Sequence, residues 1–527
     1  MRHNLYAHLR ASFPVNLAST AVETIDAGAA PLFYSWQDLD EGSAMLANAL
    51  HTLGVVKGDR VAVQVPKSVE AMMLYLATVR MGALFVPLNT AYQSGEMAHF
   101  ISDSQPTVVV CDTANTLWLA PLCAQHGVKH MLTLNANRTG SLLDAAALAP
   151  RTFHTVSSKP SDIAAIVYTS GTTGRSKGAL LSHGNLLSNA QTLHGHWGWR
   201  SDDVLMHVLP IFHVHGLFVA IHGALLAGAK MLWAAKFEPT QVLAQLPRTT
   251  VFMGVPTLYV RLLAEQGLSA AVTQNMRVFI AGSAPLLAET FKDWQTRTGH
   301  TIVERYGMSE TVMLTSNPYY GEMSGDLLGD LRGDFHDGSA LRRAGTVGKP
   351  LPNVQVKVVD DAGAALAHGE IGNIVVKGPN VFAAYLNLPE KTREEFTADG
   401  FFKTGDVGRF SADGYLSIVG RSKDLIISGG YNVYPAEIEA AINDLAGVAE
   451  SAVVGAPHPD FGEVGVAVVI AKAGANLDAA AILAQLKGQL ANFKVPKHCA
   501  VRSELPRNAM GKVQKNVLRS EFAHWFA

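Results

Sequence analysis

Ten consecutive residues, Thr169, Ser170, Gly171, Thr172, Thr173, Gly174, Arg175, Ser176, Lys177 and Gly178, combine the groups that can hold a phosphate. Glycine lets backbone N–H groups close on an anion, the hydroxyls add donors, and Lys177 adds charge. The spacing is not that of a Walker-type loop, because no Gly-Lys-Ser/Thr follows a first glycine at the required distance. Elsewhere, Tyr306, Gly307, Met308, Ser309, Glu310 and Thr311 put a hydroxyl beside a carboxylate, the ligand type that a hard divalent cation takes. Gly282, Ser283, Ala284 and Pro285, then Thr404, Gly405 and Asp406, then Gly420, Arg421, Ser422, Lys423 and Asp424 form further short polar turns. His213 and His215 follow an apolar run, Lys512 lies in a basic, glycine-containing segment, and Arg277 opens a buried β-prone run. A guanidinium at that last position could pair bidentately with a carboxylate on a substrate.

These groups need a large scaffold. A chain of 527 residues exceeds a single ordinary core, and three or four domains or subdomains are expected. With 48% apolar and 16% charged residues the chain reads as well-packed and globular. A net charge of −2 gives no electrostatic case for a nucleic-acid or anionic-membrane partner, so phosphate recognition must be local. Cys111, Cys123 and Cys499 have neither pairing nor metal spacing, which fits a reducing, cytoplasmic location. Residues 1–14 lack the apolar core of a secretory signal. Residues 217–229 are too short to span a bilayer and read as a buried helix.

Strand-like runs at 60–65, 83–87, 107–111, 163–168 and 277–281 alternate with helical patterns. The clearest of these is 68–81, which opens on a serine cap and stops at Gly82. Strand–helix–strand order argues for layered α/β structure with much parallel sheet. From about 345 the texture becomes β-rich, with strands expected at 354–359 and 372–376. Past Gly420 a compact α+β module follows, with helices at 437–442 and 479–490 and strands at 452–454 and 464–470. The expected division is a large N-terminal domain, 1–420, including a β-rich subdomain at 345–420, and a small mobile C-terminal domain, 421–527. The segment 319–343, rich in Gly, Asp and Ser, reads as an exposed mobile loop.

The run from Tyr168 to Gly178 resembles the signature of the acyl-CoA synthetase, adenylation-domain and firefly-luciferase superfamily. The runs at 209–213, 282–285, 306–311, 404–406, 420–424 and 506–512 are similar to its other motifs, in order along nearly the whole chain. The resemblance implies a carboxylate that attacks the α-phosphate of Mg·ATP, then displacement of AMP by a thiol, most simply that of coenzyme A. It assigns Thr169, Ser170, Gly171, Thr172, Thr173, Gly174 and Lys177 to the leaving phosphates. Glu310 is assigned to Mg²⁺, Thr311 to the α-phosphate, and Tyr306 to adenine stacking. Asp406 takes the ribose hydroxyls, Arg421 the ribose–phosphate region, and Gly282, Ser283, Ala284, Pro285, Arg305 and Gly307 further parts of the nucleotide site. Lys512 would bridge the carboxylate and the α-phosphate as charge develops, and is also a candidate for reversible acetylation. Lys423 matches a hinge, after which residues 428–432 face the thiol.

The wording at 74–80, 86–92, 253–259, 304–311 and 511–519 looks like that of bacterial malonyl-CoA synthetases. That likeness implies malonate or methylmalonate as the acid, with His213, Arg277 and Met308 at the acid site. The 319–343 segment departs from it. A coenzyme A ligase for another short-chain or aromatic acid, and a carrier-loading adenylation enzyme, remain as alternatives. Oligomeric state is not legible.

Overall fold

The computed structural model describes residues 3–26, 28–169, 176–320, 338–429, 431–508 and 511–526. Of the phosphate loop, residues 170–175 lie outside these, and so do residues 321–337 of the 319–343 segment.

The described residues build four sheets. The nine-stranded sheet runs in the order Lys349–Pro350, Thr315–Ser316, Ile302–Tyr306, Val278–Ala281, Val251–Gly254, Val204–His207, Lys230–Trp233, Thr20–Thr24, Phe33–Ser35. Its six central strands are parallel. They are short and apolar because both faces are covered: every residue of Val251–Gly254 and Val278–Ala281 is buried. A seven-stranded sheet follows the order Ala384–Tyr385, Lys177–Ser182, Ile163–Thr169, Leu84–Pro87, Arg60–Gln64, Val108–Cys111, His130–Thr133, parallel except at its first two junctions. Between the sheets packs Val69–Arg80, a helix whose residues are all buried and whose Ser68 cap accepts from the Ala71 N–H at 3.1 Å.

The β-rich subdomain is a four-stranded antiparallel sheet of Gln355–Val359, Gly372–Lys377, Phe402–Phe410 and Leu416–Arg421. Three residues of 3-10 helix, Ser422–Asp424, lead from it to the C-terminal sheet. There Gly462–Ala471 is flanked by Val448–His458, antiparallel, and His498–Arg502, parallel. The helices Pro435–Asn443 and Ala479–Lys487 pack their apolar faces into the same core.

Two readings are refined. The apolar stretch after His213 is helical and buried, but its first part, His215–Ile221, is a π-helix that passes into the α-helix His222–Ala227. The described ends of the 319–343 segment are anchored, although Ala340 and Arg343 are exposed. Gly338 is buried, the Tyr415 hydroxyl donates to the Leu341 carbonyl at 2.6 Å, and Arg342 donates to the carbonyls of Thr301 and Pro318.

Candidate active site

The carboxyl ends of the central parallel strands converge on one crevice, the usual ligand position in open α/β sheets. Val278–Ala281 delivers Gly282 and Ser283, Ile302–Tyr306 delivers Arg305 and Tyr306, and Val204–His207 leads to His213 and His215.

Arg305 is the most unusual group there. It is 2% exposed, and its Nε and Nη2 have no hydrogen-bond partner among the described residues. Burial pulls its pKa down to about 9, opposed by Tyr259, and among the described residues no carboxylate offsets the charge. Gly282 lies flat against it: a Cβ on Gly282 would stand 2.6 Å from Cζ and 2.7 Å from Nε and Nη1. The neighbouring Ser283 adopts φ 71°, a left-handed backbone that costs an L-residue energy, and its hydroxyl lies 3.4 Å from His215 Nδ1. His215 is fully buried, and its Nε2 has no partner among the described residues. Burial first, then Lys512 and Arg305, push His213 down to about 3, so both the apolar setting and the nearby cations keep it neutral. Its Nδ1 accepts from the His215 N–H at 3.2 Å. The π-helical turn brings His215 into this cluster, and the sequence reading quoted it without assigning it a role.

On the opposite face of the same strand, Glu304 is buried, and its Oε1 accepts from the Leu286 N–H, just past the 282–285 turn, at 3.1 Å. Burial raises its pKa to about 8, and its Oε2 has no partner among the described residues.

Arg277 is a correction. It sits at the amino end of the strand whose carboxyl end carries Gly282, about 16 Å away along extended chain. Its Nε and Nη2 bind the buried Asp203 carboxylate at 3.0 and 2.7 Å, and its Nη1 donates to the Trp197 carbonyl at 2.8 Å. The guanidinium also lies 4.8 Å from the Tyr319 ring centre. A guanidinium so committed, at the wrong end of a parallel strand, is not available to a substrate.

A second group forms around Asp406. Arg421 Nε meets Asp406 Oδ1 at 2.7 Å, and the Tyr306 hydroxyl donates to Oδ2. Asp406 and Arg421 are register partners of one hairpin, which explains how residues fifteen apart meet. Glu310, 5% exposed, has its pKa raised by burial, opposed first by the hydrogen bond its Oε1 accepts from the Tyr385 hydroxyl at 2.8 Å. Thr311 is fully buried, and its Oγ1 accepts from the Met308 N–H at 3.3 Å. Met308 is partly buried against the main core. Gly307 is required there, since a Cβ would meet the Val312 carbonyl oxygen at 1.9 Å. Lys177, at the far side of the phosphate loop, holds its ammonium 4.5 Å from the Tyr385 ring centre.

Lys512 arrives from the C-terminal module. A Cβ on Gly511 would lie 3.3 Å from Thr257 Oγ1, at the start of the helix Pro256–Leu263, so the loop docks against the large domain. Burial of its ammonium, then Arg421, lower the Lys512 pKa; Arg305 acts in the same direction, against Asp406 and Glu310. Lys472 adds an ion pair across the same boundary, 2.5 Å from Glu289. Lys423 is depressed to about 8 by burial and by Arg421.

The crevice therefore gathers Lys177, Arg421 and Lys512 about two buried carboxylates, Glu310 and the Arg421-paired Asp406, with Arg305 close to Lys512. That donor set fits Mg²⁺, which takes one or two carboxylates and completes its shell with phosphate and water. It also suits a polyphosphate and a further anion held at Arg305.

The family described as AMP-binding enzyme matches residues 20–386, and the AMP-binding enzyme C-terminal domain matches 437–512. A malonate–CoA ligase of Arabidopsis thaliana is 34% identical over 498 residues, covering 88% of this chain and 78% of that one. A feruloyl-CoA synthase from Amycolatopsis is 33% identical over 525 residues, covering 97% and 98%. Among solved structures, ATP-bound MatB from Rhodopseudomonas palustris superposes with a TM-score of 0.92 at 48% identity, covering 100% of both chains.

Proposed function

The chain belongs to the AMP-binding enzyme family, and from that membership we propose that it ligates malonate to coenzyme A. Malonate and ATP give malonyl-adenylate and pyrophosphate. The thiol of coenzyme A then displaces AMP to give malonyl-CoA.

The observation that carries the acid is Arg305. A buried guanidinium with no carboxylate beside it among the described residues suits an anionic ligand, since leaving such a charge unpaired is costly. The distal carboxylate of a diacid supplies the partner, with Ser283, His213 and His215 as polar neighbours and Met308 on an apolar side. A feruloyl or other aromatic monoacid has no second carboxylate to meet this charge while the first reacts.

The first half-reaction needs placement and charge neutralisation more than covalent chemistry. Lys512 faces the growing charge between carboxylate and α-phosphate, Thr311 offers a hydroxyl there, and Asp406 with Arg421 holds the ribose. Glu310 would hold Mg²⁺, which supplies neutralisation of phosphate charge. The small domain, 421–527, then turns about Lys423 for the thiol step. Lys512 is also proposed as a site of reversible acetylation, which mass spectrometry of the peptide that carries it reads directly. Three buried free thiols, with pKa values raised to about 11–12, support a reducing, cytoplasmic setting. Among the described residues no helix is long and apolar enough to cross a membrane.

The test is pyrophosphate release with malonate and with butyrate, with and without coenzyme A, for the parent and for Arg305→Leu. The parent should prefer malonate, and the variant should lose malonate activity by about two orders of magnitude or more while keeping or gaining activity with butyrate. Equal activity of the parent on both acids would overturn the malonate reading.

A further inference from the structure

Tyr385 carries no local sequence signal, lies 75 residues from Glu310, and is 4% exposed. It belongs to the short strand Ala384–Tyr385, which pairs antiparallel with the strand that follows the phosphate loop, Tyr385 opposite Ala179. Its hydroxyl donates to Glu310 Oε1 at 2.8 Å, and its ring face lies 4.5 Å below the Lys177 ammonium. The same segment grips the Glu310 turn at two more points. The Phe382 N–H donates to the Glu310 carbonyl at 2.7 Å, and Asn380 Nδ2 donates to the carbonyls of Thr311 and Met313 at 2.7 and 2.9 Å. These bonds hold a turn in which Val312 has φ 55°, a conformation that a β-branched residue does not keep unaided.

We propose that Tyr385 is a positioning residue that sets the spacing between the metal-holding carboxylate of Glu310 and the phosphate-loop cation Lys177. This rests on the reading of Glu310 and Lys177 given above. One side chain serves both ends. The hydroxyl restricts Glu310 to one rotamer and favours its ionised form, while the ring offers Lys177 a cation–π seat that aims the ammonium over the same space. A carboxylate held that way meets a Mg·ATP complex without having to be ordered first, and pre-organisation of this kind appears as affinity for the metal–nucleotide pair.

The test uses Mn²⁺ as the probe ion. Its binding to the full-length protein in the presence of ATP is followed by electron paramagnetic resonance, alongside the Mg²⁺ dependence of pyrophosphate release at saturating ATP and malonate. Tyr385→Phe keeps the ring and removes the hydroxyl. It should weaken Mn²⁺ binding about tenfold, the size of one hydrogen bond to a charged group, with the rate at saturating Mg²⁺ restored to near the parent value. Tyr385→Leu should in addition weaken ATP binding measured without metal, because Lys177 loses its seat. Unchanged Mn²⁺ affinity in a folded Tyr385→Phe, or a rate deficit that excess Mg²⁺ does not restore, would overturn the proposal while leaving the ligase reading intact. Failure of the parent itself to bind Mn²⁺ with ATP would overturn both.

Discussion

Arg277 and Asp203 form a closed pair, with Nε and Nη2 of one meeting the two carboxylate oxygens of the other at 3.0 and 2.7 Å inside the fold. Removing one member of a buried pair strands the other charge, at a cost of roughly 3–5 kcal/mol. Arg277→Ala is therefore expected to lower the melting temperature by several degrees. The ratio of malonate to butyrate turnover by the folded fraction should stay at the parent value. A changed ratio at an unchanged melting temperature would return Arg277 to the acid site.

Gly282 is the floor beneath Arg305. A methyl group there would stand 2.6 Å from the guanidinium carbon, far inside contact distance, and the side chain rather than the backbone has to yield. Gly282→Ala should raise the KM for malonate by about tenfold or more with a folded protein and a KM for ATP changed much less. Isothermal titration with malonate, run before and after saturation with ATP, separates the two effects. Equal loss of both affinities would mean that the turn as a whole had collapsed.

Glu304 makes stability depend on pH. Its pKa is about 8 when folded against an ordinary 4.5, so below pH 4.5 both states hold the proton and no cost arises. Between those values only the folded state keeps it, and stability falls with rising pH by up to about 1.4 kcal/mol per unit. Glu304→Gln removes this slope while leaving an oxygen to accept from Leu286. Denaturant titrations at several pH values should show the variant gaining on the parent from pH 5 to 8. Parallel curves would show that Glu304 is ionised in the folded protein.

Lys423 lies in the three-residue 3-10 turn between the four-stranded sheet and the C-terminal sheet. A proline fixes φ and removes the freedom such a turn needs if the small domain swings. Lys423→Pro should retain malonate-dependent pyrophosphate exchange to within a few-fold. Thioester formation should drop by about two orders of magnitude, the loss expected when closing groups are misplaced. Equal losses in the two assays would remove the rotation from the mechanism.

Much of the scaffold was legible because β-branched runs under two covered faces leave little choice. Val108–Cys111 and Gly462–Ala471 appear within a residue or two of their expected places. Val448–His458 is far longer than the three residues expected, since Ser451, Gly455 and Pro457 interrupt the apolar pattern while the backbone ladder continues. The π-helix at His215 was invisible because an unbroken apolar run carries no period to read. Arg277 misled for a topological reason: an arginine next to a buried strand is visible in sequence, but which end of that strand opens on the crevice is decided by the parallel order of its neighbours. Arg305 was placed with the nucleotide groups because its motif is contiguous. The packing of Gly282 and the lack of a counter-charge among the described residues separate it from them. Tyr385 and Asn380 reach Glu310 and Thr311 from about seventy residues away, and no local spacing encodes such a meeting.

The bare guanidinium of Arg305 also bears on how the chain evolves. A buried charge without a counter-charge is locally frustrated, and an apolar leucine would remove that cost. Arg305→Leu should melt at a higher temperature than the parent in the absence of malonate, the sign opposite to that of Arg277→Ala. Two arginines on adjacent strands thus answer to different selective pressures: drift toward stability retains the one and erodes the other. Keeping Arg305 requires continuing demand for the acid it receives.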